Sequence, residues 1–172
     1  MKCVFLLAAA ALLQSCSGKS DVTLYQEGRT AEDSGNFQLA VERYEEVADR
    51  FQKSAYAESS LYRAGLVYNN DLHDAQKAIS SYRKFCSLFP QSKQAPTSLF
   101  LSAFLFNNEL HQFDSAKIAY ETFLQKYPTH ELAASAKFEL ETLGKEPGAH
   151  LIGDTTELAG SGQPKAPGVS SK

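Results

Sequence analysis

Tryptophan is missing from this chain of 172 residues, methionine occurs once and proline six times. Positive charge is not in excess either: 17 Lys and Arg stand against 20 Asp and Glu, a formal net charge of −3. No basic stripe is available to neutralise phosphates, which argues against a nucleic-acid partner. Gly-rich phosphate loops, H-E-x-x-H, C-x-x-C and the nucleophile elbow are all missing. His130 and His150 stand apart from any arrangement of carboxylate or thiol that points to a triad. These absences argue against an enzyme and call for no cofactor. Long apolar runs are lacking as well. The longest extends from Cys3 to Leu13, too short for a spanning helix.

That run has the shape of the apolar centre of a secretory signal, with one cation, Lys2, before it. It ends in "LQSC", Leu13 to Cys16, with small Ser15 directly before the cysteine. The segment resembles the lipobox of bacterial lipoproteins, although Gln14 stands where a small or β-branched residue is usual. The alternative is an ordinary signal peptide with an incidental cysteine. The resemblance implies a signal peptide over 1–15, cleavage before Cys16 and lipid on its thiol, with 16–20 as lipidated cysteine and tether. Acyl chains contribute about 0.8 kcal/mol per buried methylene, so several together anchor a protein firmly. Loss of Lys2 moves the charge from −3 to −4. Cys3 would leave with the signal and Cys16 would be a thioether. Cys86 then has no partner for an intramolecular disulfide, and the fold must hold by packing.

What is present is repetition. "YNNDLHD" at 68–74 returns as "FNNELHQ" at 106–112, 38 residues later. The same interval separates Ala40, Ala78 and Ala116, and also Tyr44, Tyr82 and Tyr120. Val47, Phe85 and Phe123 follow, then Phe51, Phe89 and Tyr127. Steps of four, three and four place each set on one helical face. Pro90 and Pro128 stop two of these helices, whereas Gln52 in the first copy predicts different fraying. Asn36 and Asp74 are expected N-caps, with weaker Gln112 in the third place. A second helix fits each interval: "SAYAESSLYRAGLVYNN" aligns with "SKQAPTSLFLSAFLFNN", with Ser54 and Ser92 as expected N-caps. Pro96 falls in a first turn, where a missing N–H is tolerated. Gly65 aligns with Ala103, at a spot where two backbones could approach closely. An earlier partial copy places Tyr25 and Gly28 against Tyr62 and Gly65 at a shift of 37. A closing helix is expected from about Glu131 to a stop at Gly144, with Phe138 third in the Tyr62, Phe100 series.

The small residue, Ala, aromatic, apolar and Pro in this order resemble the tetratricopeptide repeat (TPR). The residues concerned are Gly28, Gly65 and Ala103, the three Ala–Tyr pairs, Val47, Phe85, Phe123, Pro90 and Pro128. The period of 38 is longer than the usual 34, and Tyr or Phe replaces the early Trp. "FPQSKQAP" and "KYPTHELA" are similar to the longer repeats of periplasmic proteins, both the Tol–Pal-associated YbgF type and the outer-membrane assembly lipoproteins of BamD type. The resemblance implies an all-α fold, a right-handed superhelix (α-solenoid) of three helix pairs plus a C-terminal capping helix over 21–144. Independently, one helical pair cannot bury its apolar face, so neighbours must stack. Beyond, 145–172 holds three of the six prolines and few large apolar residues, and reads as a flexible tail.

The twin heptapeptides have two readings: His73 and His111 as metal ligands, or repeat loops in which Asn supplies the left-handed turn residue. Zinc needs ligands about 2.0–2.1 Å from one ion, and repeat-equivalent residues sit about a helix diameter, roughly 10 Å, apart; turn punctuation is favoured. Cys86 aligns with Ala48 and Leu124, a packing position. Glu42, Glu45, Glu46 and Asp49 mark a solvated helix face. The TPR resemblance also implies an inner surface at Tyr25, Arg29, Tyr62, Leu66, Asn69, Asn70, Phe100, Phe104, Asn107 and Asn108. Rings and amides suit a peptide groove; equally, rings at helical spacing pack helices together. The expected function is a non-enzymatic scaffold in a bacterial outer membrane, facing the periplasm and holding an envelope protein or peptide. Its membrane partner would be met through lipid on Cys16. Self-association as a structural lipoprotein is the alternative.

Overall fold

A computed structural model describes residues 18–145. The expected signal peptide, the lipidation site Cys16 and nearly all of the tail lie outside the described residues. Within them the chain forms seven helices and no strand: α1 (Asp21–Asp33), α2 (Phe37–Arg50), α3 (Ala57–Asn70), α4 (Ala75–Leu88), α5 (Ala95–Asn108), α6 (Phe113–Lys126) and α7 (Ala133–Glu141). Every extensive contact joins helices adjacent in sequence, with a smaller one between α1 and α3. This is an open stack of hairpins; a closed bundle would bring distant helices together. Three pairs and a closing helix are present, as the periodicity predicts.

The core forms where the 38-residue anchors meet. Tyr44, Tyr82 and Tyr120 are fully buried, each with its Ala40, Ala78 or Ala116 one turn earlier. Val47, Phe85 and Phe123 are equally buried. Burying one such side chain contributes about 1.5–3 kcal/mol, far more than local propensity. The Tyr44 and Tyr82 rings lie against the small residue of the partner helix. A Cβ on Gly28 would stand 2.7 Å from Tyr44 Cε1, and one on Gly65 would stand 2.6 Å from Tyr82 Cε1. The close approach expected at Gly65 is therefore ring against backbone, not backbone against backbone.

The turns follow the period too, with several corrections. Asn36 and Asp74 cap α2 and α4 by accepting from Leu39 and Lys77 N–H at 3.4 and 3.0 Å, while Gln112 makes no side-chain cap bond. Ser54 and Ser92 are not the N-caps of α3 and α5. Their hydroxyls accept from the N–H two residues on, at 3.0 and 3.1 Å. That bond closes a short turn first, and the helices start three residues after each serine. His130 repeats the device through Nδ1, accepting from Leu132 N–H at 3.2 Å, so α7 begins at Ala133, two residues later than expected. Gln52 does not change the first repeat: α2, α4 and α6 all end with the N–H of Phe51, Phe89 or Tyr127 donating to the carbonyl four residues back.

The twin heptapeptides are turns, but asparagine does not supply the left-handed residue. Asn69, Asn70, Asn107 and Asn108 complete α3 and α5. His73 and His111 take φ 51°, at the same period as Gly35 with φ 77°. Left-handed backbone at that step lets Asp74 N–H reach the Tyr68 carbonyl and Gln112 N–H reach Phe106, both at 2.8 Å.

Candidate functional site

The first helix of each pair carries the expected inner residues, and the structure sorts them. Tyr25 packs its ring 4.9 Å from Tyr56 and 6.0 Å from Tyr44. Tyr62 lies 5.5 Å from Phe85, and Phe100 meets Tyr120 and Phe123 edge-on at 5.8 and 5.9 Å. All three rings are half-buried wedges with one side still open. Tyr25, Tyr62 and Leu66 line one depression of about 250 Å³ together with Glu58, Arg63 and Phe85. Phe100 and Phe104 stack at 6.5 Å one repeat further on, with Phe104 37 % exposed. Phe138, third in the ring series, is 50 % exposed on α7.

The polar members diverge. Asn107 is buried and donates to Glu139 at 3.2 Å, tying α5 to α7. Asn108 turns back onto the Phe104 carbonyl, and Asn69 donates to Asn70 at 2.7 Å. Arg29 faces Asp33 at 3.9 Å, while its Nε is buried without a hydrogen bond. Cys16 lies outside the described residues.

Electrostatics at the first hairpin centre on Glu32. It accepts from the Tyr44 hydroxyl at 2.5 Å and from Arg63 Nη1 at 2.9 Å, linking α1, α2 and α3. Burial, then this carboxylate, pushes the Tyr44 phenol well above its ordinary value, so it stays a donor. Tyr82 is raised chiefly by burial, and its hydroxyl makes no hydrogen bond. Nothing in a one-dimensional reading marks Glu32 and Arg63, 31 residues apart, as partners. Ser54 donates to Asp21, and Ser92 donates to Glu58 at 2.7 Å. Those clamps had a signal: Ser54 and Ser92 are 38 apart, and Asp21 and Glu58 are 37 apart, the shift already seen between α1 and α3.

Chemically reactive arrangements are lacking among the described residues. No group of three or more His, Cys, Asp or Glu could hold a metal ion there. Cys86 is half-buried, its Sγ donating to the Ala95 carbonyl at 3.4 Å, and burial pushes its thiol up to about 11. It is a packing residue rather than a nucleophile. No described helix is long and apolar enough to cross a membrane.

A family model described as YfiO, outer membrane lipoprotein, matches residues 18–146, the whole helical stack. The chain belongs to this family. It is an outer membrane lipoprotein, and the match supports the likeness to assembly lipoproteins of BamD type over the TPR stack. Comparison with individually curated proteins finds no match. The surface of the first helices, with its half-buried rings, is the candidate site.

Proposed function

We propose that Cys16 is acylated and that the stack winds as a short right-handed superhelix whose concave face, formed by α1, α3 and α5, holds a protein or peptide partner. The partner belongs to the machinery of envelope biogenesis on the periplasmic side of the outer membrane, and the protein acts by holding it, without catalysis. One observation carries the reading: half-buried rings on successive first helices leave open faces beside Leu66 and Phe104. Rings that are already half fixed lose little entropy on binding and suit an extended or helical peptide.

The test is cross-linked capture of the acylated protein from membranes, with Leu66→Asp and Phe104→Asp beside the natural sequence. Both side chains are partly exposed, so circular dichroism should show the fold retained. Loss of the same captured partner in both variants is expected. Full capture with the fold intact would refute the groove. A mass that rises with concentration, abolished by the same substitutions, would assign this face to self-association instead.

A further inference from the structure

The unpaired charges on the two loop edges of the stack lean towards opposite sign. Helices of 14 residues are about 21 Å long, so the turns before first helices and the turns after them form separate rims. The start of α1 belongs to the first rim. Asp21 bonds Ser54, Gly18 sits against the Arg50 guanidinium, and Glu58 bonds Ser92 of the next loop. That rim exposes Lys53, Lys93 and Lys126, none with an ion-pair partner among the described residues, against Glu131 as an unpaired acid; Asp21 and Glu58 are held by the serines and Asp49 by Lys84. Partly exposed Phe51, Phe89 and Tyr127 stand beside them. On the opposite rim Asp71, Glu109 and Asp114 are exposed and without an ion pair among the described residues, Asp74 is paired with Lys77, and exposed Lys117 and Lys145 offset part of the negative charge.

The same basic rim is where the amino-terminal tether arrives. Cys16 stands two positions before Gly18, a reach of at most about 7 Å at 3.3–3.6 Å per residue. Resting on the acylation proposed above, we infer that the basic rim lies against anionic phospholipid headgroups, so that the stack lies along the membrane with its acidic rim directed away. An anchored domain needs no extra affinity from these charges. They need only favour one orientation over another, and lysine near an anionic surface with amphipathic rings beside it does so within a Debye length.

The absence of native tryptophan permits a direct reading. The full acylated chain is placed in phosphatidylethanolamine vesicles with about a third phosphatidylglycerol, containing lipids brominated near the headgroup. Single probes are Gln52→Trp and Gln91→Trp on the basic rim, Gln112→Trp on the acidic rim and Gln26→Trp on the outer side of α1. Quenching at the two basic-rim probes should exceed that at Gln112→Trp by at least about twofold. The difference should shrink when phosphatidylglycerol is omitted or when Lys53, Lys93 and Lys126 are all changed to Gln. Equal quenching on both rims, strongest quenching at Gln26→Trp, or indifference to the anionic lipid would overturn the inference. Mass spectrometry of the amino-terminal peptide separates the two failures: an unmodified Cys16 removes the anchor, whereas an acylated chain without rim preference removes only this orientation.

Discussion

Replacing Gly65 by alanine places a methyl group 2.6 Å from Cε1, 2.8 Å from Cδ1 and 3.2 Å from Cζ of Tyr82. Ordinary contact begins near 3.4 Å, so the ring must withdraw by most of an ångström. Tyr82 is fully buried, with Tyr62 6.4 Å away across its ring, and has no open side to move into. Overpacking of this kind costs about 1–3 kcal/mol. Alanine in place of glycine inside a helix returns about 1 kcal/mol. The net expectation is a loss of about 1 kcal/mol, or roughly 4 °C in Tm for a domain of this size. Urea and thermal unfolding followed at 222 nm would measure it. Gly35→Ala is a useful companion, because nothing lies within 4 Å of a Cβ there and only φ 77° opposes it; about 1 kcal/mol is expected from backbone strain alone. The decisive arm is Gly65→Ala in a Tyr82→Leu background. With the ring gone, alanine should stabilise by about 1 kcal/mol, a reversal of sign. A Gly65→Ala protein as stable as its parent, or no reversal, would refute ring-on-backbone packing as the reason for glycine.

Glu32→Gln removes the charge shared by Tyr44 and Arg63; with Glu32 and Arg63 only part-buried, a loss of about 1–2 kcal/mol in urea unfolding is expected, and a change below about 0.3 kcal/mol would count against the network. Cys86 should alkylate slowly at neutral pH and accelerate with a midpoint near 11 in a pH–rate series with a small thiol reagent. Because the folded thiol is raised above its ordinary value of 9.0, its contribution to stability is complete below that value. It is lost as pH climbs from 9.0 through 11. Rapid modification at pH 7 would show an open site instead.

The helices were legible because burial repeats in register. Ala40, Tyr44 and Val47 recur unchanged in spacing through the next two copies, and periodic apolar faces are what stacked hairpins require. The N-caps Asn36 and Asp74 were legible for the same local reason. The role of Ser54 and Ser92 was not legible, because a hydroxyl can take the N–H two or three residues on. The left-handed residue was not legible, because tolerance of that backbone in asparagine does not determine which residue the chain places there; His73 and His111 take it. For the candidate surface, the positions of Tyr25, Tyr62 and Phe100 were readable from the repeat, but not their half-burial. How much of each ring stays open depends on Tyr56, Phe85 and Phe123 arriving from other helices.

By itself the amino-acid order determined the number of helices, their apolar faces and their breaks, since each depends on residues within a turn or two of one another. Tertiary structure alone decided the joining of Glu32 to Arg63, the turning of Asn107 onto Glu139 and the placing of Lys53, Lys93 and Lys126 on one rim and of Asp71, Glu109 and Asp114 on the other. Those depend on how successive hairpins lie across each other, and the distances involved are set in space by packed side chains, not along the chain.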